Sequence, residues 1–376
     1  MINRRRVLRP SPKRLNVTTP ERRQILLPSS PDGSSRRLLL RAVAALPMLP
    51  QLLVATTAQA QTAAPLASWN DGPAKQAILD FVRATTDRAS PTYVALEDRI
   101  AEFDQDGTLW VEQPLYTQMV FCLDRVGPLV KAKPELRDRE PFKAVLSGDR
   151  EAIAKLSMRE IFEIVVATQS GMTVEAFRDE TRKWLTAAKH PRWNRLYTEL
   201  VYQPMLEVLS YLRANGYRTL IATGGSAGFV REYSEEIYGI LPEQVCGTEQ
   251  AFKYGYDSEH RPTLTREPKL VLDNLGAGKI QNFWLMYGRR PYAAFGNSSS
   301  DDQQMLEYVK AGTGARLSVL VLHDDATREY AYGPTQGLPD TKIGTFSQAM
   351  YDMARHQGWT IVSMKNDWNR IFPFEA

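Results

Sequence analysis

The chain has 376 residues, of which 43% are hydrophobic and 24% charged, a composition typical of globular proteins. This length suits one large domain or two ordinary ones, and two cysteines exclude a scaffold built on disulfides. The formal charge of +4 is unevenly spread: residues 1–60 carry 11 basic and two acidic residues, and the remaining chain carries 36 and 41. The body of the chain is therefore mildly acidic, which argues against nucleic-acid binding.

The first 60 residues are predicted to be an export leader. Arg36 and Arg37 precede an apolar run, 42–55, and the leader ends in Ala58-Gln59-Ala60. A basic start, an apolar centre and an A-x-A end are typical of a cleaved secretory signal, and the paired arginines resemble a twin-arginine signal. The run is shorter than the roughly 20 residues that span a bilayer. We expect cleavage after Ala60, no stable membrane span afterwards, and a periplasmic or secreted protein.

Beyond the leader, strands and helices are predicted to alternate. Periodicity and apolar runs predict, in chain order, helix 74–86, strand 99–103, a helical block at 115–200, helix 205–215, strand 217–222, helix 227–238, strand 244–247, helix 279–287, strand 292–295, helix 303–310, strand 317–322, helix 345–356 and a final strand within 359–373. Such alternation indicates an α/β fold with a doubly wound parallel sheet. We divide the chain into a core, 61–114 and 201–376, and an inserted α-helical cap, 115–200.

Two acids follow the first predicted strand, in the sequence Phe-Asp104-Gln-Asp106-Gly-Thr-Leu. Ligands of open α/β sheets bind beyond the carboxyl ends of the strands, and acids two positions apart leave a strand on the same side. Gly107 allows the chain to turn away at once. A simple turn with exposed acids would explain an isolated D-x-D-G, but this one follows an apolar strand and precedes three further matching elements.

With these elements the chain resembles the haloacid dehalogenase-like (HAD) hydrolase superfamily, in its phosphoserine-phosphatase-like branch. Residues 104–109 match the first family motif, D-x-D-G-T-hydrophobic, and the apolar strand that ends at Thr223 matches the second. Lys279 at the start of a helix matches the third motif. The resemblance covers about residues 98–325 and implies a Rossmann-like core.

The fourth motif, a glycine followed by acids, departs from the family pattern at one position. The usual acid directly after Gly296 is Asn297 in this chain. Counting forward from Gly296 aligns Asp301 with the second acid of the family, whereas counting back from the following Met-Leu pair aligns Asp302. Either acid could reach a metal ion, and asparagine in place of the first acid could weaken metal affinity.

The resemblance implies a role for each matched residue. Asp104 would attack phosphorus, and Asp106 would protonate the leaving alkoxide and then take a proton from water. Mg²⁺ would offset the repulsion between a carboxylate and a phosphate dianion. The groups that would hold the phosphoryl oxygens are Thr223, the backbone of Gly224 and Gly225, and Lys279. The implied metal-binding residues are Asp104, Asp106 through its backbone carbonyl, Asn297, and Asp301 or Asp302.

Trp110 and Glu112 directly follow the first motif and are candidates for contact with a cationic or amino group of the substrate. Packing of Trp110 and solvation of Glu112 is the alternative reading. His323 precedes two aspartates and could form a catalytic His–Asp pair, but the sequence contains no G-x-S-x-G nucleophile motif.

The predicted function is Mg²⁺-dependent hydrolysis of a small phosphorylated metabolite, a phosphomonoester, through an aspartyl-phosphate. Asp106 favours a phosphatase, because dehalogenases of the superfamily expel halide, need no proton donor and lack this acid. One alternative is a phosphotransferase, in which an alcohol replaces water. Another is a catalytically weak protein that binds a phosphorylated ligand, which Asn297 favours.

Overall fold

A computed structural model describes residues 65–375. The predicted leader, residues 1–60, lies outside this part of the chain. The described strands are β1 (Ile100–Phe103), β2 (Arg218–Ser226), β3 (Val245–Tyr256), β4 (Pro262–Leu272), β5 (Ala293–Gly296), β6 (Leu317–Leu322) and β7 (Thr360–Ser363). They form one sheet in the order β4-β3-β2-β1-β5-β6-β7, parallel throughout except for the β3–β4 pair.

Helices cover the sheet and fill the long connection between β1 and β2. The described α-helices are α1 (Pro73–Thr86), α2 (Thr117–Ala132), α3 (Phe142–Ser147), α4 (Arg150–Lys155), α5 (Met158–Gln169), α6 (Val174–Leu185), α7 (Gln203–Ala214), α8 (Ala227–Val230), α9 (Ser234–Tyr238), α10 (Ala277–Tyr287), α11 (Gln303–Lys310), α12 (Gln348–His356) and α13 (Met364–Asp367). None of the helices within 65–375 combines the length and the apolar character that a membrane crossing requires.

The predicted α/β class and doubly wound sheet are confirmed, with one strand that the sequence did not predict. β4 runs antiparallel to β3 as an edge strand, in a segment that contains Pro262 and Pro268. Prolines are tolerated at edges, where one side of the backbone forms no ladder. Because polar residues and prolines are spread along it, the segment has no apolar run that would predict a strand.

The helix predicted at 227–238 is two short helices, α8 and α9, separated by a turn at Tyr233. The backbone of Tyr233 is not helical, with φ −135° and ψ −9°. Its ring stacks on Trp110 at 4.7 Å between centroids, and its hydroxyl donates to Gln105 Oε1 at 2.7 Å. These tertiary contacts override the helical periodicity of the segment.

The chain leaves the sheet and returns to it through two neighbouring segments that flank the cap. The Val111 N–H donates to the Leu200 carbonyl at 3.1 Å, and the Tyr202 N–H donates to the Leu109 carbonyl at 2.9 Å. Between these crossings lie α2 to α6 and a stretch after α6 that contains a short 3₁₀ helix, Tyr197–Glu199. The division into a core, 61–114 and 201–376, and a cap, 115–200, stays a prediction, and we use the word cap for the segment 115–200.

One apolar cluster extends from the sheet into the cap. Phe103 of β1 stacks on Phe295 of β5 at 4.3 Å between ring centroids. Phe121 of α2 packs against Phe177 of α6 and against Phe229 of α8, which belongs to the core. All five rings belong to the same cluster of buried residues, so the cap helices are packed onto the sheet domain by shared hydrophobic contacts.

Candidate active site

Three adjacent parallel strands end at the same edge of the sheet. In the register of β1, Phe103 lies opposite Ile221 of β2 and Phe295 of β5. Asp104 directly follows β1, and its N–H donates to the Phe295 carbonyl at 2.9 Å. Continued by one residue, this register brings Asp104 opposite Ala222, which directly precedes Thr223, and opposite Gly296, where β5 ends.

The loop after β1 turns sharply at Gly107. The φ angle of this residue is +77°, a backbone conformation that residues other than glycine rarely adopt. Its N–H donates to the Trp110 carbonyl at 2.9 Å. A Cβ at this position would collide with the side chains of Asn297 and Glu112. Both the backbone conformation and the packing thus require glycine in the motif.

A buried lysine lies at the centre of three carboxylates. Lys279, in the first turn of α10, is completely buried. Its Nζ lies 2.6 Å from Asp104 Oδ1, 2.7 Å from Asp301 Oδ2 and 2.5 Å from Asp302 Oδ1. The fold therefore brings both acids that the fourth motif offered, Asp301 and Asp302, beside Asp104.

The two acids differ in their other contacts. Asp302 is fully buried, and its Oδ2 accepts hydrogen bonds from the N–H groups of Asn297 and Ser298, both at 2.9 Å. Asp301 accepts one hydrogen bond, from the Gly276 N–H at 3.0 Å, and its side chain keeps 20% of its surface exposed. Asp301 is thus the more accessible of the two to a ligand.

The electrostatics of this cluster are unbalanced. Burial, followed by repulsion from Asp302, raises the pKa of Asp104 well above its usual value. Burial also raises the pKa of Asp301, although Lys279 opposes the shift. Burial acts to lower the pKa of Lys279, but the neighbouring carboxylates outweigh it and the pKa is raised. One ammonium cannot neutralise three ionised carboxylates, so the ionised cluster has a deficit of positive charge.

The residues fit a hard divalent cation. One oxygen from each of Asp104, Asp301 and Asp302 lies within 4.8 Å of the others. Carboxylate oxygens are the ligands that Mg²⁺ prefers, and a divalent charge matches the deficit of the ionised cluster. The family-implied metal is therefore compatible with the donors that the fold brings together.

Asp106, the second acid of the motif, has Trp110 as its hydrogen-bond partner. The Trp110 Nε1–H donates to Asp106 Oδ1 at 2.7 Å. Burial raises the pKa of Asp106 to about 6, although this hydrogen bond opposes the shift. A carboxyl group with this pKa can exchange a proton near neutral pH.

The end of β2 contains two glycines in a bulge, where the pairing with β3 shifts register between Thr223 and Ser226. The Gly225 N–H donates to Thr223 Oγ1 at 3.0 Å, which leaves the hydroxyl hydrogen of Thr223 free to donate elsewhere. A Cβ on Gly224 would come within 3.0 Å of Asp301 Oδ2. The bulge therefore lies against the acid cluster, as the predicted phosphoryl site requires, although the roles of Thr223, Gly224 and Gly225 stay predictions.

Trp110, Glu112 and Asn297 are buried among protein partners. Trp110 is 1% exposed and Glu112 is 2% exposed. Asn297 Nδ2 donates to Glu112 Oε1 at 2.6 Å, and Asn297 Oδ1 accepts from the Thr108 hydroxyl at 3.2 Å. The proposed substrate contacts of Trp110 and Glu112, and the metal contact of Asn297, stay predictions. In the structure all three side chains form hydrogen bonds to the motif loop or to each other beside it.

Sequence reasoning missed a second buried network beneath this loop. Tyr332 donates to Glu112 Oε1 at 2.8 Å, and burial raises the pKa of Glu112 to about 7. His323 Nε2 lies 2.7 Å from the Gly107 carbonyl, and its Nδ1 lies 3.2 Å from Glu329 Oε2. The partner of His323 is thus a glutamate six positions later and not an adjacent aspartate. Tyr332 and Glu329 lie in a loop without periodicity, so no sequence pattern identifies them.

The largely parallel sheet and the acidic cluster at the carboxyl ends of its strands agree with the family that the sequence matches. The chain belongs to the haloacid dehalogenase-like hydrolase family, whose sequence model matches residues 101–307. The predicted superfamily is therefore confirmed. A comparison with curated proteins found no match.

Several solved structures are similar in fold. A functionally unknown protein from Anaerococcus prevotii DSM 20548 is 15% identical over 66% of this chain and 85% of its own, with a TM-score of 0.46. A protein of unknown function from Bordetella pertussis Tohama I is 14% identical over 70% of this chain and 98% of its own, with a TM-score of 0.42. A phosphoserine phosphohydrolase-like protein from Francisella tularensis subsp. tularensis SCHU S4 is 18% identical over 60% of this chain and 88% of its own, with a TM-score of 0.34.

Proposed function

We propose that this hydrolase is a Mg²⁺-dependent phosphatase that acts on a small phosphomonoester through an aspartyl-phosphate on Asp104. The observation that supports the proposal most is the contact of Asp104 with Lys279, at 2.6 Å, in a buried cluster with Asp301 and Asp302. Hydrogen bonding to one carboxylate oxygen, Oδ1, fixes the orientation of the nucleophile. The other oxygen, Oδ2, has no hydrogen-bond partner within residues 65–375.

In the first step the free oxygen of Asp104 attacks phosphorus, and the bond between phosphorus and the ester oxygen breaks. Asp106 gives its proton to the departing alkoxide, a role that suits a carboxyl group whose pKa is raised to about 6. Lys279 orients Asp104, and the Thr223 hydroxyl donates to an oxygen of the transferring group. Such fixed donors supply much of the catalysis in phosphoryl transfer.

In the second step Asp106, now ionised, takes a proton from water. The resulting hydroxide attacks phosphorus, the bond to Asp104 breaks, and inorganic phosphate leaves with both carboxyl groups restored. Mg²⁺, when bound, supplies positive charge that offsets the repulsion between the phosphate dianion and the carboxylates. Asp104, Asp301, Asp302 and the Asp106 carbonyl would hold the ion, with Asp301 as the most accessible acid.

A p-nitrophenyl phosphate assay of the purified protein, with Mg²⁺ and with a chelator, tests this function. We expect Mg²⁺-dependent hydrolysis that is lost in Asp104→Asn and retained in the control Asp138→Asn, which changes an exposed acid of the cap. Hydrolysis that persists in Asp104→Asn would contradict the proposal. Failure of the wild-type protein to hydrolyse any phosphomonoester, together with phosphate binding, would favour the binding protein that Asn297 suggests.

The export of the protein is a further part of the proposal, and it depends on residues 1–60 alone. Fusing these residues to a reporter that is active only outside the cytoplasm tests it. We expect export that fails when Arg36 and Arg37 are both replaced by lysine, because twin-arginine transport reads the arginine pair as such. Export that continues unchanged in that variant would indicate another route.

A further inference from the structure

A cap side chain contacts the bulge at the end of β2, where the proposed function places the phosphoryl group. Gln118 is the second residue of α2, and it is 8% exposed. Its Oε1 accepts a hydrogen bond from the Ser226 N–H at 2.8 Å, which links the cap to a residue 108 positions away in the chain. The bulge contains Thr223, Gly224 and Gly225, the residues that the predicted phosphoryl site uses to bind phosphoryl oxygens.

The carboxamide of Gln118 lies on the same side of the bulge as the Thr223 hydroxyl. A Cβ built on Gly225 would lie 2.9 Å from Gln118 Oε1 and 3.3 Å from Thr223 Oγ1. The neighbouring glycine, Gly224, faces Asp301 in the same way, at 3.0 Å from Oδ2. Gln118 and Asp301 thus lie against neighbouring residues of the same bulge, beside the proposed phosphoryl site.

The two ends of this carboxamide are used unequally. Oε1 is fixed by the Ser226 N–H, so the opposite end of the planar group, Nε2, has a fixed direction. Nε2 has no hydrogen-bond partner within residues 65–375, and it is not among the buried polar atoms that lack one. The structure therefore holds a donor that is oriented by the protein and available to a ligand.

We propose that Gln118 is a further phosphoryl-binding residue, which donates from Nε2 to an oxygen of the phosphoryl group bound beside Thr223. The inference rests on the proposed phosphoryl site. A neutral donor is suited to this place because the adjacent cluster already has three carboxylates and one ammonium. A second cationic side chain here would be attracted to the carboxylates. The neutral amide is not, so it stays available to donate a hydrogen bond to the phosphate.

Two variants of Gln118 separate this role from a structural one. Gln118→Glu keeps an oxygen that accepts from the Ser226 N–H but removes the donor, and Gln118→Met removes both ends without adding charge. The matched control is Gln244→Glu. Gln244 Oε1 also accepts from a backbone N–H, that of Leu241 at 2.9 Å, but its Nε2 donates to the Thr219 carbonyl at 3.1 Å.

The readouts are kcat/KM for p-nitrophenyl phosphate and the affinity for inorganic phosphate measured by calorimetry on the full chain. We expect kcat/KM and phosphate affinity to fall roughly tenfold to a hundredfold in both Gln118 variants, as for a lost hydrogen bond to a charged group. Gln244→Glu should behave like the wild type. Unfolding of each variant is measured alongside, so that losses are compared between proteins of equal folded fraction.

Three outcomes overturn the proposal: wild-type values in both variants, a loss in Gln118→Met alone, which reveals only the anchor to Ser226, or a loss in Gln118→Glu alone, which reveals only charge repulsion. Calorimetry distinguishes this failure from failure of the proposed function. A wild-type protein that binds phosphate without turnover, and that loses affinity in both variants, refutes the phosphatase and supports Gln118. A wild-type protein that binds no phosphate overturns the role of Gln118.

Discussion

At the scale of single residues, the two acids of the first motif have different surroundings that suit different tasks. Asp104 contacts Lys279 and lies beside Asp301 and Asp302. Its carboxylate is therefore held in one orientation, next to other charged side chains. Asp106 receives a hydrogen bond from Trp110 and has a pKa raised to about 6. One environment favours a fixed nucleophile, and the other favours a group that gains and loses a proton.

The pH dependence of turnover is the first prediction at this scale. The protonated form of Asp106 is needed in the first step, so kcat/KM should fall as pH rises through about 6. Trp110→Phe removes the hydrogen bond that favours the ionised form, so the pKa rises and this limb should move to higher pH. Asp106→Asn should lower kcat by about a hundredfold or more and abolish the limb. A limb that is unmoved in Trp110→Phe would contradict the assignment.

Removal of the buried ammonium gives the second prediction. Lys279→Met leaves three carboxylates without their cation, which should lower the free energy of unfolding by about 3–5 kcal/mol near pH 8. The loss should shrink as pH falls, because Asp104 and Asp301, whose pKa values are raised, take up protons. Urea unfolding at several pH values measures this. The control is Lys155→Met, which breaks an exposed pair with Glu151 and should cost less than about 1 kcal/mol.

At the scale of elements, the parts of the fold that the sequence predicts are those with strong apolar patterns. β1 and β6 are buried along their whole length, and their apolar runs predict them within a residue. β4 alternates buried, half-buried and exposed residues at the edge of the sheet, so its pattern is weak. Its position nevertheless matters, because Arg266 of β4 packs against the cap. The guanidinium carbon of Arg266 lies 4.3 Å from the ring centroid of Phe177 in α6, which joins the β3–β4 pair to the cap.

The site shows the same division between what is local and what is not. The D-x-D-G-T sequence predicts Asp104 and Asp106, because their spacing on one strand end is a local property. Counting residues cannot decide between Asp301 and Asp302, because both reach Lys279 through the path of the loop after β5. Gln118 was not predicted at all, since only the fold brings the start of α2 to the end of β2.

The central strand carries a further buried acid, and it gives a prediction for the element. Glu102 of β1 is 1% exposed, its Oε2 has no hydrogen-bond partner in the described chain, and burial raises its pKa to about 8. The folded state therefore keeps a proton that the unfolded state loses above its ordinary pKa. Stability from this residue is present at low pH and is lost as pH rises towards about 8.

Glu102→Gln tests this directly, because the amide does not titrate. Between pH 5 and pH 8 the stability of the wild type relative to the variant should fall by roughly 3 kcal/mol, since one pKa unit corresponds to about 1.4 kcal/mol. Urea unfolding at both values measures the difference. Glu97→Gln, which changes an exposed acid near β1, should follow the wild type. An unchanged difference between the two pH values would show that Glu102 titrates normally.

At the scale of the whole molecule, the sheet domain and the cap share one apolar cluster. Rings of β1, α2 and α6 belong to it together with Phe372 near the C-terminus. Domains that share their core unfold together, whereas domains with separate cores unfold separately. We expect a single calorimetric transition whose measured enthalpy equals the van't Hoff enthalpy. A separate earlier transition of the cap would show that the shared contacts are too weak to couple the two parts.

The most direct measurement of the central claim is chemical trapping of the phosphorylated enzyme during turnover. Borohydride reduces an acyl phosphate to an alcohol, with loss of the phosphate. Quenching the protein with borohydride while p-nitrophenyl phosphate is turning over should therefore convert Asp104 to homoserine, which peptide mass spectrometry detects. We expect this conversion at Asp104 in the wild type, more of it when Asp106→Asn slows the second step, and none without substrate. Turnover that continues with the label at another residue, or with no label at all, would contradict the account.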